Sequence, residues 1–153
     1  MFVTKLIILT TVSILTLANN PSSLSLPTAR AEIKRIQVAF NEKRQEFLNS
    51  DLNKNNLNRD MTDALVVLEK LLADVQKVED KNPKLGVTQQ WDQMSLDIAL
   101  LSPLVDFSKT IMGKDECRYA LHMNKMSESS LEDLPMNRTK PVEKVLNKIC
   151  NEK

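Results

Sequence analysis

Between Met61 and Val78 the hydrophobic residues recur with an alternating spacing of three and four positions. This stripe consists of Met61, Ala64, Leu68, Leu71, Val75 and Val78. Because an α-helix has about 3.6 residues per turn, positions at this spacing share one face, and Asp63, Glu69 and Lys70 lie off it. The pattern predicts an amphipathic helix that must pack against other helices to cover its apolar face.

Similar stripes predict further helices on both sides of this one. We expect a first helix at 31–48, a fourth at 115–126 and a last one that starts at Pro141. The last helix would turn four residues inward, namely Val142, Val145, Leu146 and Ile149. An asparagine-rich run at 49–58 separates the first two helices, because asparagine side chains compete for backbone hydrogen bonds and favour loops.

The third predicted helix carries a proline inside its hydrophobic pattern. It should begin after Thr88, whose hydroxyl suits a helix cap, and end at Gly113. Pro103 lacks a backbone donor and crowds the preceding turn, so we expect a kink or a break there. The apolar face around it is broader than one stripe requires, and we expect burial rather than a binding patch. It comprises Leu100, Leu101, Leu104, Val105 and Phe107.

Composition agrees with a fold built from helices. The 153 residues are 42% hydrophobic and 27% charged, with only 2 glycines and 4% aromatic residues. β-rich folds depend on glycine turns and aromatic strands, so this content argues against them. We predict an all-α, up-and-down antiparallel helical bundle of four helices with a disulfide-linked C-terminal helix, in one domain.

The charge balance gives no sign of an anionic partner. The formal charge of +1 becomes −1 when Lys5 and Arg30, which fall in the first 31 residues, are removed. A protein that neutralises phosphates needs a clear excess of Lys and Arg. We therefore expect neither nucleic acid nor an anionic membrane surface as the partner.

The N-terminal segment has the pattern of a secretory signal peptide. Lys5 is followed by an apolar run at 6–17, which as a helix would be about 18 Å long, too short for a bilayer core of about 30 Å. We predict a signal peptide at 1–31, with cleavage after Ala31 in the motif Ala29-Arg30-Ala31, and a mature domain at 32–153. Cleavage after Ala18 is the alternative, and an uncleaved anchor is a third interpretation. The expected location is periplasmic or secreted.

The two cysteines fit an exported protein. Cys117 and Cys150 are predicted to form a disulfide, since export brings thiols to an oxidising compartment. The bond would close a loop of roughly 34 residues and stabilise the fold by up to about 4 kcal/mol. Two buried free thiols are the alternative.

Short segments of the second and third helices resemble the small periplasmic four-helix-bundle b-type cytochromes. The similar segments are Asp63-Ala64-Leu65, Asp74-Val75-Gln76-Lys77, Asp97-Ile98 and Gly113-Lys114. The resemblance implies the bundle fold. That family holds haem between a Met near the start of its first helix and a His near the end of its fourth. Here the first helix has no Met, and His122 lies in the first half of the fourth, so the haem-ligand pattern is not matched.

One pair of residues offers metal chemistry. His122 and Met126 would share a helical face, and His/Met sets in exported proteins bind copper through soft sulfur. A third ligand would have to come from Met94, Met112 or Met136. The other interpretation is that the methionines fill gaps in the core and His122 lies at the surface. We expect no cofactor and no metal.

No catalytic arrangement stands out in the chain. A Ser-His-Asp set would have to use His122, and nothing places a serine beside it. There is no glycine-rich phosphate loop. The sequence therefore favours a non-catalytic, exported protein that binds another protein, as an inhibitor, immunity factor or envelope accessory protein. A haem- or copper-binding carrier that uses His122 with Met residues is the alternative, and an enzyme that uses carboxylates alone is a third possibility.

Overall fold

The computed structural model describes residues 24–110, 113–130 and 138–152, and within these ranges it contains six helices and no strand. The helices are α1 (Leu26–Asn49), α2 (Leu57–Asp80), α3 (Gln89–Ala99), α4 (Ser102–Lys109), α5 (Lys114–Ser130) and α6 (Lys140–Cys150). The predicted all-α, up-and-down helical bundle is confirmed.

One buried apolar cluster joins all six helices. α1 and α2 form the most extensive helix pair, and α2 also packs against α3 and α4. Of the stripe that predicted α2, Met61, Ala64, Leu68 and Val75 are buried, while the other two positions are partly buried against the same cluster. The opposite face of α2 carries charged residues, so burial of the apolar stripe is what holds this helix in place.

Pro103 separates the third predicted helix into two. α3 ends at Ala99 and α4 begins at Ser102 with the proline in its first turn, where a missing backbone N–H breaks no intrahelical bond. Thr88 caps α3 as predicted, and its hydroxyl accepts a hydrogen bond from the Trp91 N–H at 3.3 Å. Four residues of the broad apolar face are buried, as expected, and Val105 is partly buried: Leu100, Leu101, Leu104 and Phe107 are 0–2% exposed.

The predicted end of this element at Gly113 is wrong. α4 ends at Lys109, where Thr110 donates its hydroxyl to the Phe107 carbonyl at 3.1 Å. Gly113 instead precedes α5, and its carbonyl accepts from the Cys117 N–H at 3.3 Å. Glycine often terminates a helix, but Gly113 lies on the N-terminal side of the following helix.

Three other helix bounds differ from the sequence-based expectation. α1 begins at Leu26 rather than at 31, α2 already includes Leu57, and α5 continues past Met126 to Ser130. In α1 the earlier start has a local cause, because the Ser25 hydroxyl accepts a hydrogen bond from the Thr28 N–H. The predicted start at 31 followed from the predicted signal peptide, whereas in the structure Ser25 caps a longer α1, and α5 continues through serines that the sequence assigned to a loop.

The connection between α2 and α3 is held by buried polar groups. Glu79 accepts the Thr88 N–H at 2.8 Å, and the side chain of Asn82 donates to the Val78 carbonyl at 2.7 Å. Gly86 in the same connection has a φ of 61°, the left-handed region that favours glycine. Apart from the glycine and its two chain neighbours, no atom lies within 4 Å of the place where a Cβ would be added. The glycine is therefore needed for its backbone angle and not for space.

Candidate functional site

A disulfide joins α5 to α6. Cys117 and Cys150 are bonded, with their Cα atoms 5.7 Å apart and a sequence separation of 33. α6 turns its four predicted inward residues into the core, where each is at most 6% exposed. The disulfide therefore fixes α5, the helix with the fewest buried positions for its length, to a helix that is well packed.

α5 presents an outward face with apolar side chains on one part and mainly basic side chains on the other. It packs chiefly against α4 and α6, through residues such as Ala120, which is buried. The side of α5 that points away from these neighbours is called here the outer face of α5. It consists of Lys114, Asp115, Arg118, Tyr119, His122, Lys125, Met126 and Ser129, all exposed.

The two halves of the outer face follow from helical spacing. Tyr119 and Met126 lie two turns apart, and 55% and 47% of their surfaces are exposed. Lys114, Arg118 and Lys125 recur at the same kind of spacing on the other side of His122. Arg118 lies 3.8 Å from the carboxylate of Asp115, an exposed pair that contributes little to stability.

The predicted metal-ligand candidates lie on this outer face. His122 and Met126 share one side of α5, as their spacing predicted, and both are exposed. Of the possible third ligands, Met94 is fully buried in the core, and Met112 and Met136 fall outside the described residues. In the described ranges no group of three or more His, Cys, Asp or Glu residues could hold a metal ion. Copper or haem binding by His122 stays a prediction.

A cluster of charged side chains lies inside the bundle, between α1, α3 and the segment before α6. Arg44 and Asp97 are at most 1% exposed. Arg138 donates from Nη1 to Oδ2 of Asp97 at 2.9 Å, and Arg44 donates from Nη2 to the backbone carbonyl of Arg138, also at 2.9 Å. These bonds tie the chain that enters α6 to two helices of the bundle.

Burial controls the ionisation of this cluster. Loss of water around Asp97 raises the pKa of its carboxyl above the ordinary range, although Arg44 and Arg138 oppose that shift. Desolvation also lowers the pKa of the Arg44 guanidinium, although nearby Asp97 opposes it. Asp97 Oδ1 and Arg44 Nε find no hydrogen-bond partner in the described part of the chain. The cluster is thus paired but incompletely satisfied, an arrangement that fixes geometry more than it adds stability.

The sequence interpretation missed this cluster, though one signal for it was present. Arg44 lies on the same stripe of α1 as Ile33, Ile36, Phe40 and Phe47, and it interrupts an otherwise apolar face. A charged residue at a core position needs a buried partner of opposite charge. Asp97 was such a partner, at a core position of α3. Arg138 carried no periodic signal, because it precedes the last helix.

Comparisons with models of protein families, with curated proteins and with solved structures found no match to this chain. The resemblance to the periplasmic cytochromes thus stays a prediction. A search for membrane spans across the described helices also found none that is long and apolar enough to cross a bilayer.

Proposed function

We propose that the protein is exported and acts without catalysis, by binding another protein through the outer face of α5. The observation that carries the proposal is the composition of that face. Tyr, Met and Arg are enriched in protein interfaces, and here they are exposed together on one helix. Exposed valines elsewhere lie on α1, on α2 and in the connection after α2, and none has an exposed aromatic side chain on its own helix: Val38, Val66, Val67 and Val87.

The charge of the outer face indicates the chemistry of the partner. Lys114, Arg118 and Lys125 run beside Tyr119 and Met126, so the complementary surface has carboxylates beside an apolar patch. Aromatic and arginine side chains are the usual anchors of such contacts. The partner we expect is therefore a protein with an acidic patch beside a hydrophobic site.

Export is supported by the disulfide. Cysteines pair and stay paired in secreted and periplasmic proteins, whereas the cytosol keeps them reduced. The bond between Cys117 and Cys150 thus fits the signal-like N-terminus. It also keeps α5 in a fixed orientation, so less conformational entropy is lost when a partner binds.

Site-specific photo-crosslinking in the cells that produce the protein tests the binding face. A photoreactive phenylalanine at Tyr119 should give one discrete adduct with a second protein. The same residue at Val66, which is 62% exposed on α2, is the matched control and should give none. Equal adducts from both positions, or none from Tyr119, would contradict the proposal.

Charge reversal provides a second arm of this experiment. Arg118→Glu combined with Lys125→Glu should abolish the adduct, because the basic half of the face would then repel the carboxylates of the partner. Arg59→Glu changes the charge at an exposed position of α2 and should leave the adduct unchanged.

The carrier alternative has its own test. If the purified protein carries copper or haem that is lost in His122→Ala, the carrier alternative replaces this proposal.

A further inference from the structure

We infer that the chain is processed upstream of Ser25, so that Ala29-Arg30-Ala31 stays in the mature protein as part of α1. This inference rests on the proposed export. It concerns the choice between cleavage after Ala31 and cleavage after Ala18. The first would remove the opening turns of α1, whereas the second would keep the whole helix.

The residues before Ala31 form a complete helix start. Ser25 accepts the Thr28 N–H through its side chain at 3.4 Å and the Ala29 N–H through its carbonyl at 2.8 Å. Pro27 occupies the first turn, where proline is favoured. A chain that began at Glu32 would lose this cap and place a positively charged amino group at the positive end of the helix dipole.

The same residues contribute to the interior of the bundle. Ala29 is 0% exposed and lies one turn before Ile33, which is 1% exposed on the same face. Leu24 and Leu26 are partly exposed and, together with Lys81 and Pro83, line a surface pocket of about 250 Å³. Cleavage after Ala31 would remove Ala29 from the core and one wall of this pocket.

The position of the apolar run points the same way. Signal peptides place small residues shortly after the hydrophobic stretch. Ala18 follows the run at 6–17 directly, whereas Ala31 is separated from it by the polar segment 19–28. The small residue at position 29 is then explained by packing, because Ala29 is buried in the bundle while Ala31 is exposed.

The inference is tested by expressing the full chain in a secreting bacterium and sequencing the N-terminus of the exported protein. The expected N-terminus is Asn19, and any start between Asn19 and Ser25 agrees with the inference. An exported protein that starts at Glu32, or one that keeps its N-terminal segment, overturns the inference but leaves the proposed binding function intact. A full-length chain that remains in the cytoplasm overturns the proposed export as well.

Two substitutions give a second readout on the exported protein. Ala29→Val adds volume at a fully buried position and should lower the melting temperature by roughly 5 °C. Ala31→Ser changes an exposed position and should leave it unchanged. Cleavage after residue 31 would make both exported proteins identical to the wild type, so equal melting temperatures for all three overturn the inference.

Discussion

At the residue scale, the charged cluster of Arg44, Asp97 and Arg138 should be sensitive to substitution, because two of its members are buried. The Arg138 guanidinium is hydrogen-bonded to the fully buried carboxylate of Asp97, and the charge of Arg44 also acts on that carboxylate. Burying a charged group costs desolvation free energy, and only well-placed hydrogen bonds and opposite charges compensate for that cost. Substitutions here should therefore have larger effects than substitutions of the exposed ion pairs.

Arg138→Ala should lower the free energy of unfolding by about 3 kcal/mol, because Asp97 would lose its hydrogen-bonded cation inside the protein. Chemical denaturation measures this change. Arg59→Ala removes an exposed pair with Asp60 and serves as the control, with an expected change below about 0.5 kcal/mol. If both variants lose the same free energy of unfolding, the pair of Arg138 and Asp97 stabilises the protein no more than an exposed ion pair does.

The pH dependence of stability should carry the signature of Asp97. Its pKa is raised in the folded protein, mainly by burial, so its contribution is fully present below the unfolded value of about 3.9 and is lost as the pH rises through the folded value. The difference in unfolding free energy between the wild type and Asp97→Asn should therefore decrease as the pH rises above about 4. An increase over that range would mean that the arginines outweigh desolvation.

Sequence patterns show such a group only in part. Arg44 and Asp97 occupy core positions of their helices, and two opposite charges at core positions suggest a buried pair. The hydrophobic pattern of each helix does not show which helices pack against each other, so it does not predict that these two side chains meet. Arg138 lies outside any periodic segment, so only the folded chain reveals it.

At the element scale, the helices themselves were predictable and their ends were not. The stripe from Met61 to Val78 gave the centre of α2, and Pro103 gave the break between α3 and α4. Gly113 shows why ends are harder, because a glycine suits either side of a helix boundary. Ser25 shows the same for capping residues, whose role depends on which backbone donor is unpaired.

The connection between α2 and α3 yields a prediction about backbone strain alone. Gly86→Ala should lower the free energy of unfolding by about 1 kcal/mol, since a Cβ at a φ of 61° is disfavoured while the surrounding space is open. Gly86→Asn should cost less, because asparagine tolerates the left-handed region. Urea denaturation of the two variants provides the comparison. An alanine variant as stable as the wild type would show that the connection relaxes to another conformation.

At the scale of the whole molecule, the disulfide should contribute much of the stability of the C-terminal half. Replacing both Cys117 and Cys150 by Ser should lower the free energy of unfolding by up to about 4 kcal/mol through the greater freedom of the unfolded chain. Denaturation in the absence of reductant compares the variant with the wild type. Treating the wild type with reductant should lower its free energy of unfolding by the same amount. If reduction destabilises the wild type but the double serine variant is as stable as the oxidised wild type, the serines themselves must stabilise the protein.

The fold class and the disulfide could be predicted from the sequence because both depend on local pattern or on cysteine count. The outer face of α5 could not be identified in advance. Tyr119, His122 and Met126 have the same spacing as a core stripe, and only the packing against α4 and α6 determines which stripe of the helix turns outward. Exposure of an apolar stripe is a property of the assembled bundle.

The sulfur bond between α5 and α6 also makes the C-terminal part a covalent ring. A single scission of the backbone anywhere between Cys117 and Cys150 opens this ring without dividing the molecule, since both pieces remain attached through the two sulfurs. Such a nicked protein would migrate as one band on a gel without reductant and as two bands with it. Host proteases that attack this region would thus leave α5 anchored to the bundle.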